Sequence, residues 1–443
     1  MKDIELKYKE TSLVSLQALA DAAETLSPYI ARLREVSESE EYDTPEAFIN
    51  LPFDRDIVGV VKEAAGKAGG KELSYIIVVG IGGSNLGTLA VYDALRGKLD
   101  AFRSTPMPKI IFADTNDPDL LADIQSILGE HINSPEQILV NIISKSGTTT
   151  ETIANFEVLY GTLKERFGEE SAKKRVVVTT DRGSKLWSEA QREGFALLEI
   201  PQQVGGRYSV FSAVGLFPLS LAGMDIDALL EGARVMRDKC LSEGVEENPA
   251  LLSAALIHLH YKAGISIHNS FFFNSQLESL GKWYRQLLGE SIGKKHNAKG
   301  EEVRVGITPI VSMGPADLHS MAQLYLGGPK DKFTTFMYTP ESERSVRVPE
   351  DTAFPALAES VAGKSLTEIM RAIFSGTKEA YRKGAFPFME VVLPDISEGS
   401  LGQYLQFKMM EMMFLARLLG VNAFDQPAVE DYKSETRRIL NGS

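Results

Sequence analysis

Between residues 75 and 200 the chain alternates short runs of Val, Ile and Thr with longer amphipathic stretches. The runs cover Tyr75–Val79, Lys109–Ala113, Ile138–Ile143 and residues 175–179, and they are apolar at successive positions rather than at every second one. Such a run has no face to give to water, so it reads as a parallel strand buried on both sides, and the stretches between read as crossover helices. The pattern stops near residue 210, where 211–224, 226–236 and 249–263 read as helices and no strand is legible. It resumes with strand-like runs at 265–273, 303–312, 333–338 and 386–393, separated by helical stretches such as 317–326 and 365–383. The expected fold is therefore α/β, with two parallel-sheet βαβ domains over 71–209 and 265–419 and a helical connector over 210–264.

The ends are read separately. Residues 13–38 carry apolar side chains at helical spacing with Pro28 as a kink or restart, and 54–68 is a further helix, so 1–70 is expected to form a helical layer. The stretch 400–419 reads as the last long helix, stopping at Gly420, with a polar tail after Asp425 that makes 420–443 a terminal appendage. Length agrees, since 443 residues at roughly 150 per domain give two large domains or three smaller ones.

Charge narrows the partners. With 47 basic and 60 acidic residues the net charge is −13, a field that repels nucleic acid and anionic membranes, so any anionic ligand must be met by local donors. No run approaches the roughly 18 consecutive apolar residues of a membrane span, and MKDIELKYKETS at the start carries charge where a secretory leader would be apolar. A cytoplasmic location is expected. The single cysteine, Cys240, has no intramolecular disulfide partner and reads as a small residue on a helix.

Parallel sheets bind ligands beyond the carboxyl ends of their strands, so the turns after the strands come first. The run Tyr75–Val79 leads into GIGGSNLG, which has Asn85 where a dinucleotide fingerprint needs its third glycine and lacks a P-loop lysine. What remains is close backbone approach at a helix N-terminus, suited either to an anion or to packing alone. The run Ile138–Ile143 leads into SKSGTTTET, where Ser144, Ser146, Thr148 and Thr149 supply hydroxyls and Lys145 a charge; helix capping alone needs one Ser or Thr. This composition suits a phosphate monoester. GGRYS presents Arg207 from a glycine-rich turn, either to an oxyanion or in a structural ion pair. The stretch 273–294 contains ESLGK and ESIGK twelve residues apart; Glu278 falls inside a helical pattern, while Glu290 follows Gly289, where that helix is expected to stop. Among six histidines there is no metal-ligand spacing, and His319 stands at the start of a helix after the run 303–312.

Taken together, SKSGTTTET, VGGRYSVFSAVGL (204–216) and ARLLGVNAFDQPAVEDYK (416–433), in that order along the chain, and two further blocks, GIGGSNLG and GESIGK, resemble the glucose-6-phosphate isomerase (phosphoglucose isomerase) family. The resemblance spans residues 76–433 and is absent before Glu72; Ala428 stands where the family usually has glycine, and KHNAKGEEV (295–303) has no clear counterpart. It implies two SIS (sugar isomerase) α/β domains and a homodimer with active sites at the subunit interface, the C-terminal tail completing each site. The implied reaction interconverts D-glucose 6-phosphate and D-fructose 6-phosphate, in glycolysis and gluconeogenesis, with no metal or redox cofactor. By motif position, Glu290 resembles the base that moves a proton between C1 and C2, and Arg207 the enediolate-stabilising arginine. His319 resembles the ring-opening residue donated by a neighbouring subunit, and Lys433 the lysine assisting at the ring oxygen. Gly83, Ser84, Ser144, Lys145, Ser146 and Thr149 resemble sugar and phosphate contacts, and Gln286 and Gln426 two binding glutamines. The chemistry fits these residue types: one carboxylate can remove and return the proton, and a guanidinium that keeps its charge can meet the developing oxyanion. A dual glucose and mannose phosphate isomerase, or a sugar-phosphate sensor without turnover, are the competing readings; a sensor has no need of Glu290, Arg207 and Lys433 together.

Overall fold

The computed structural model describes residues 2–340 and 345–442. Two five-stranded sheets organise it. In the first, β2 (Tyr75–Val79), β3 (Lys109–Ala113), β4 (Ile138–Ile143), β5 (Val176–Thr180) and β6 (Ala196–Glu199) lie in the order β3-β2-β4-β5-β6, all parallel. Every residue of the central β4 is buried, as expected of a strand covered by helices on both faces. The second sheet holds β7 (Ile267–Phe272), β10 (Thr308–Met313), β11 (Lys332–Tyr338) and β12 (Phe388–Val392), parallel in the order β12-β11-β7-β10.

Three elements depart from the sequence reading. The supposedly helical N-terminal layer begins with β1 (Glu5–Lys7), which adds an antiparallel edge to β12. The single run 303–312 is two strands: β9 (Glu302–Val305) pairs with β8 (Lys294–His296) in a small antiparallel ribbon, and only β10 joins the sheet. The polar tail is largely a helix, Pro427–Leu440, with Pro427 in its first turn and Ala428 exposed beside it. None of that helix's residues is buried.

The sheets follow one plan. After β2 comes a three-residue turn, Gly82–Ser84, and the helix Leu86–Arg96; after β7 comes the turn Ser275–Leu277 and the helix Glu278–Ile292. These two helices pack on each other. Behind them the helix Glu398–Leu419 is buried from Gly399 to Ala416 and crosses Ile226–Cys240 at backbone contact; a Cβ on Gly232 would lie 1.9 Å from the Gly399 carbonyl oxygen. Among the described residues no helix is long and apolar enough to cross a membrane.

Candidate active site

In the first sheet the chain leaves β2 toward β3 and then crosses back to β4, which opens a crevice between the turns after β2 and β4. The turn after β2 is pressed against the Arg207 turn: a Cβ on Gly83 would lie 2.2 Å from the Gly206 carbonyl carbon and 2.5 Å from the Arg207 nitrogen. Only glycine fits there. Ser84 closes this turn, its N–H donating to the Ile81 carbonyl at 3.2 Å, and buried Asn85 donates to Asp114 Oδ2 at 3.0 Å.

In the turn after β4, Gly147 sits at φ +67°, and the hydroxyls gather around Thr149: Ser144 Oγ at 3.1 Å and Ser146 Oγ at 3.5 Å from Thr149 Oγ1. Lys145 is partly buried, and its ammonium pKa is lowered chiefly by desolvation, with Asp181 opposing and Arg207 adding to the shift. Ser146, Thr149 and Lys433 line one cleft of about 80 Å³, so the C-terminal helix closes over the hydroxyl turn. Lys433 is paired there with Glu430 at 2.9 Å.

Arg207 is the hub, its side chain 3% exposed. Nε donates to Ser291 Oγ at 2.9 Å, Nη1 to Gln426 Oε1 at 2.6 Å and to Glu290 Oε2 at 3.3 Å, and Nη2 to the Ala423 carbonyl. A guanidinium is buried without a large penalty only where acceptors meet its donors, and losing one partner of a buried pair costs about 3–5 kcal/mol. Glu290 is 30% exposed, and its second oxygen accepts from Gln286 Nε2 at 3.1 Å. Held at both oxygens yet partly exposed, it is fixed in direction without being sealed from a ligand.

The structure separates the two glutamates. The helix Glu278–Ile292 is continuous, so Glu290 lies in its last turn and not beyond an end at Gly289; buried Ser291 and Ile292 carry the helix on. Glu278 is its first residue, ion-paired to Lys98 and Lys282 and lowered in pKa first by the Lys98 hydrogen bond. Twelve residues of helix put it about 18 Å from Glu290 along the axis. His319 is exposed on the short helix Ala316–Ser320 after β10, and no hydrogen bond or ion pair joins it to the Arg207 cluster among the described residues.

Lys294 was missed. Its side chain is 5% exposed, and Nζ bonds the Glu290 carbonyl at 2.9 Å, the Asp425 carbonyl and Asp425 Oδ1 at 2.9 Å, tying the end of the Glu290 helix to the segment that carries Gln426. Burial lowers its pKa first. It closes the GESIGK string, but its burial is not legible there, because lysine is ordinarily exposed.

A carboxylate in the last turn of its helix, set against a guanidinium, is an arrangement suited to moving a proton beside a developing oxyanion in an α/β fold. The sequence model of the phosphoglucose isomerase family matches residues 55–442, and the chain belongs to that family. It is 34% identical over 424 residues to the glucose-6-phosphate isomerase of Carboxydothermus hydrogenoformans, covering 94% of this chain and 89% of that one. The glucose-6-phosphate isomerase of Methanocaldococcus jannaschii is 35% identical over 365 residues, 82% of this chain and 84% of that one. The crystal structure of a hypothetical protein from Thermus thermophilus superimposes with a TM-score of 0.84 at 32% identity, covering 99% of this chain and 100% of that one.

Proposed function

We propose that this chain interconverts D-glucose 6-phosphate and D-fructose 6-phosphate, in the cytoplasm and in both glycolysis and gluconeogenesis. The observation that carries the reading is the Glu290 carboxylate, oriented by Gln286 and Arg207, with Arg207 near enough to the hydroxyl turn 144–149 for its charge to act on Lys145. Phosphate bound by Ser144, Lys145, Ser146 and Thr149, with Gly83 and Ser84 against the sugar, supplies binding energy away from the reacting carbons. After ring opening, Glu290 removes the proton from C2 of the aldose and returns it to C1. The electron pair left at C2 forms the enediolate, whose oxygen takes its stabilisation from Arg207. Gln286 and Gln426 hold the sugar chain beside them. Lys433, at the mouth of the cleft, assists at the ring oxygen.

The ring-opening group is His319, and it reaches the site from a second copy of the chain. The support for a homodimer is that His319 is exposed and unconnected to the cluster of its own chain among the described residues. A coupled assay with fructose 6-phosphate tests the function. Turnover is expected; ligand binding without turnover by the purified protein would leave a sensor.

A further inference from the structure

The hydroxyl turn 144–149 is held from behind by the end of β5. Thr180, the last residue of that strand and fully buried, donates its hydroxyl proton to the Ser144 carbonyl at 2.6 Å. The same carbonyl closes the turn, accepting the Gly147 N–H at 3.2 Å, so both of its lone pairs are used. Gly147 rests on the start of the next helix, Lys185–Glu193: a Cβ there would lie 2.8 Å from Leu186 Cβ and 3.0 Å from Ser184 Cβ. The stretch 180–186 therefore touches the turn at Ser144 and again at Gly147.

The hydroxyls behind the turn form a chain with one possible direction. A hydroxyl has a single proton and a carbonyl can only accept, so the Thr180 proton is committed to Ser144. The 2.8 Å contact between Thr180 Oγ1 and Ser184 Oγ then requires Ser184 to donate, and Ser184 Oγ accepts the Trp187 N–H at 3.0 Å as the cap of its helix. Helix start, Ser184, Thr180 and the Ser144 carbonyl are linked donor to acceptor in buried surroundings, where each bond strengthens the next and an unmet member is costly. Thr179, one residue earlier, points to the opposite face of the sheet, and its hydroxyl accepts from Asn141 Nδ2 at 2.9 Å.

We propose, on the reading that this turn holds the phosphate of the substrate, that Thr180 and Ser184 are positioning residues for it. By fixing the Ser144 carbonyl they aim the hydroxyls of Ser144, Ser146 and Thr149 at the phosphate without touching it themselves. Phosphate contacts are the same before and during proton transfer, so their loss acts on KM and leaves kcat in place.

The test is steady-state isomerisation of fructose 6-phosphate by the full-length protein, with inorganic phosphate as competitive inhibitor. Thr180→Val keeps the shape of the side chain and removes the donor. KM and the inhibition constant of phosphate should rise together, roughly tenfold, with kcat within about twofold of the parent. Thr180→Ser, which keeps the hydroxyl, should hold both constants near their parental values. Ser184→Ala leaves the Thr180 hydroxyl but takes away its donor; it should raise both constants by a smaller factor, and it decides the question should Thr180→Val not fold. Thr179→Val is the control, removing a buried hydroxyl from the same strand, and should lower the midpoint of thermal unfolding without moving either constant. Thr180→Val behaving like Thr179→Val would overturn the proposal, as would a fall in kcat at unchanged KM or a serine variant as impaired as valine. Thr149→Ala separates the two claims. If it raises both constants and Thr180→Val does not, the turn holds phosphate and the positioning role is wrong; if it leaves both unchanged, phosphate binding by the turn and its positioning fall together.

Discussion

Replacing Gly83 by alanine tests whether the two turns that frame the crevice must touch. A Cβ there would meet the Gly206 carbonyl carbon at 2.2 Å, the Arg207 nitrogen at 2.5 Å and the Gly206 carbonyl oxygen at 2.6 Å. Optimal carbon contacts fall at roughly 3.5–4.0 Å, so the turns must part by more than about 1 Å. All three contacted atoms are backbone, and no side chain can swing aside. Arg207 would move with its turn, away from Glu290, and a displacement of that size costs about 10²-fold in rate, close to 2.7 kcal/mol of activation free energy. Overpacking should also lower stability by about 1–3 kcal/mol. Gly161→Ala is the control: it lies inside the helix Thr150–Phe167 with nothing within 4 Å of the new methyl, and should gain up to ~1 kcal/mol with unchanged turnover. The assay is kcat/KM with fructose 6-phosphate beside thermal unfolding of both variants. Gly83→Ala with turnover within twofold of the parent would refute the reasoning.

Three further outcomes are expected. Arg207→Lys should lower kcat at least 10²-fold, because one ammonium cannot bond Ser291, Gln426, Glu290 and the Ala423 carbonyl together; near-parental kcat would assign Arg207 a packing role. Burial lowers the Lys145 pKa, so its charge is lost earlier on the alkaline side than that of a surface lysine, and KM should rise there. Over the same interval the unfolded chain holds a proton the folded chain has released, so the Lys145 contribution to stability should increase with pH. Lys145→Gln should flatten both trends, and their persistence would point to another group. If two chains share a site, mixing His319→Ala with Glu290→Gln subunits should restore part of the activity; no rescue after verified exchange would count against donation of His319.

Legibility in the sequence followed burial. Strands such as β4 were readable because both faces are covered, which leaves an unbroken apolar run. The three-residue β1 sits at a sheet edge with alternating charges and gives no such signal. β9 and β10 merged in the reading because only a short turn at Gly306 and Ile307 separates them. The helix Pro427–Leu440 buries none of its residues, and its few apolar positions, among them Tyr432, Ile439 and Leu440, stand among charges that made the segment read as a polar tail. For the site, glycine turns and clustered hydroxyls are visible as composition, and they pointed to the crevice. Lys294 and Ser291 act through burial and contacts with distant segments, which composition does not encode.

The central claim is that Glu290, and not Glu278, carries the proton. Its direct measure is deuterium incorporation at C1 and C2 when glucose 6-phosphate and fructose 6-phosphate are equilibrated with protein in heavy water. Glu290→Gln should abolish exchange while phosphate-dependent binding is retained, since the amide keeps the size of the side chain and loses its basicity. Glu278→Gln removes surface ion pairs worth at most about 1 kcal/mol and should exchange at the parental rate. Exchange that survives in Glu290→Gln and is lost in Glu278→Gln would contradict the account.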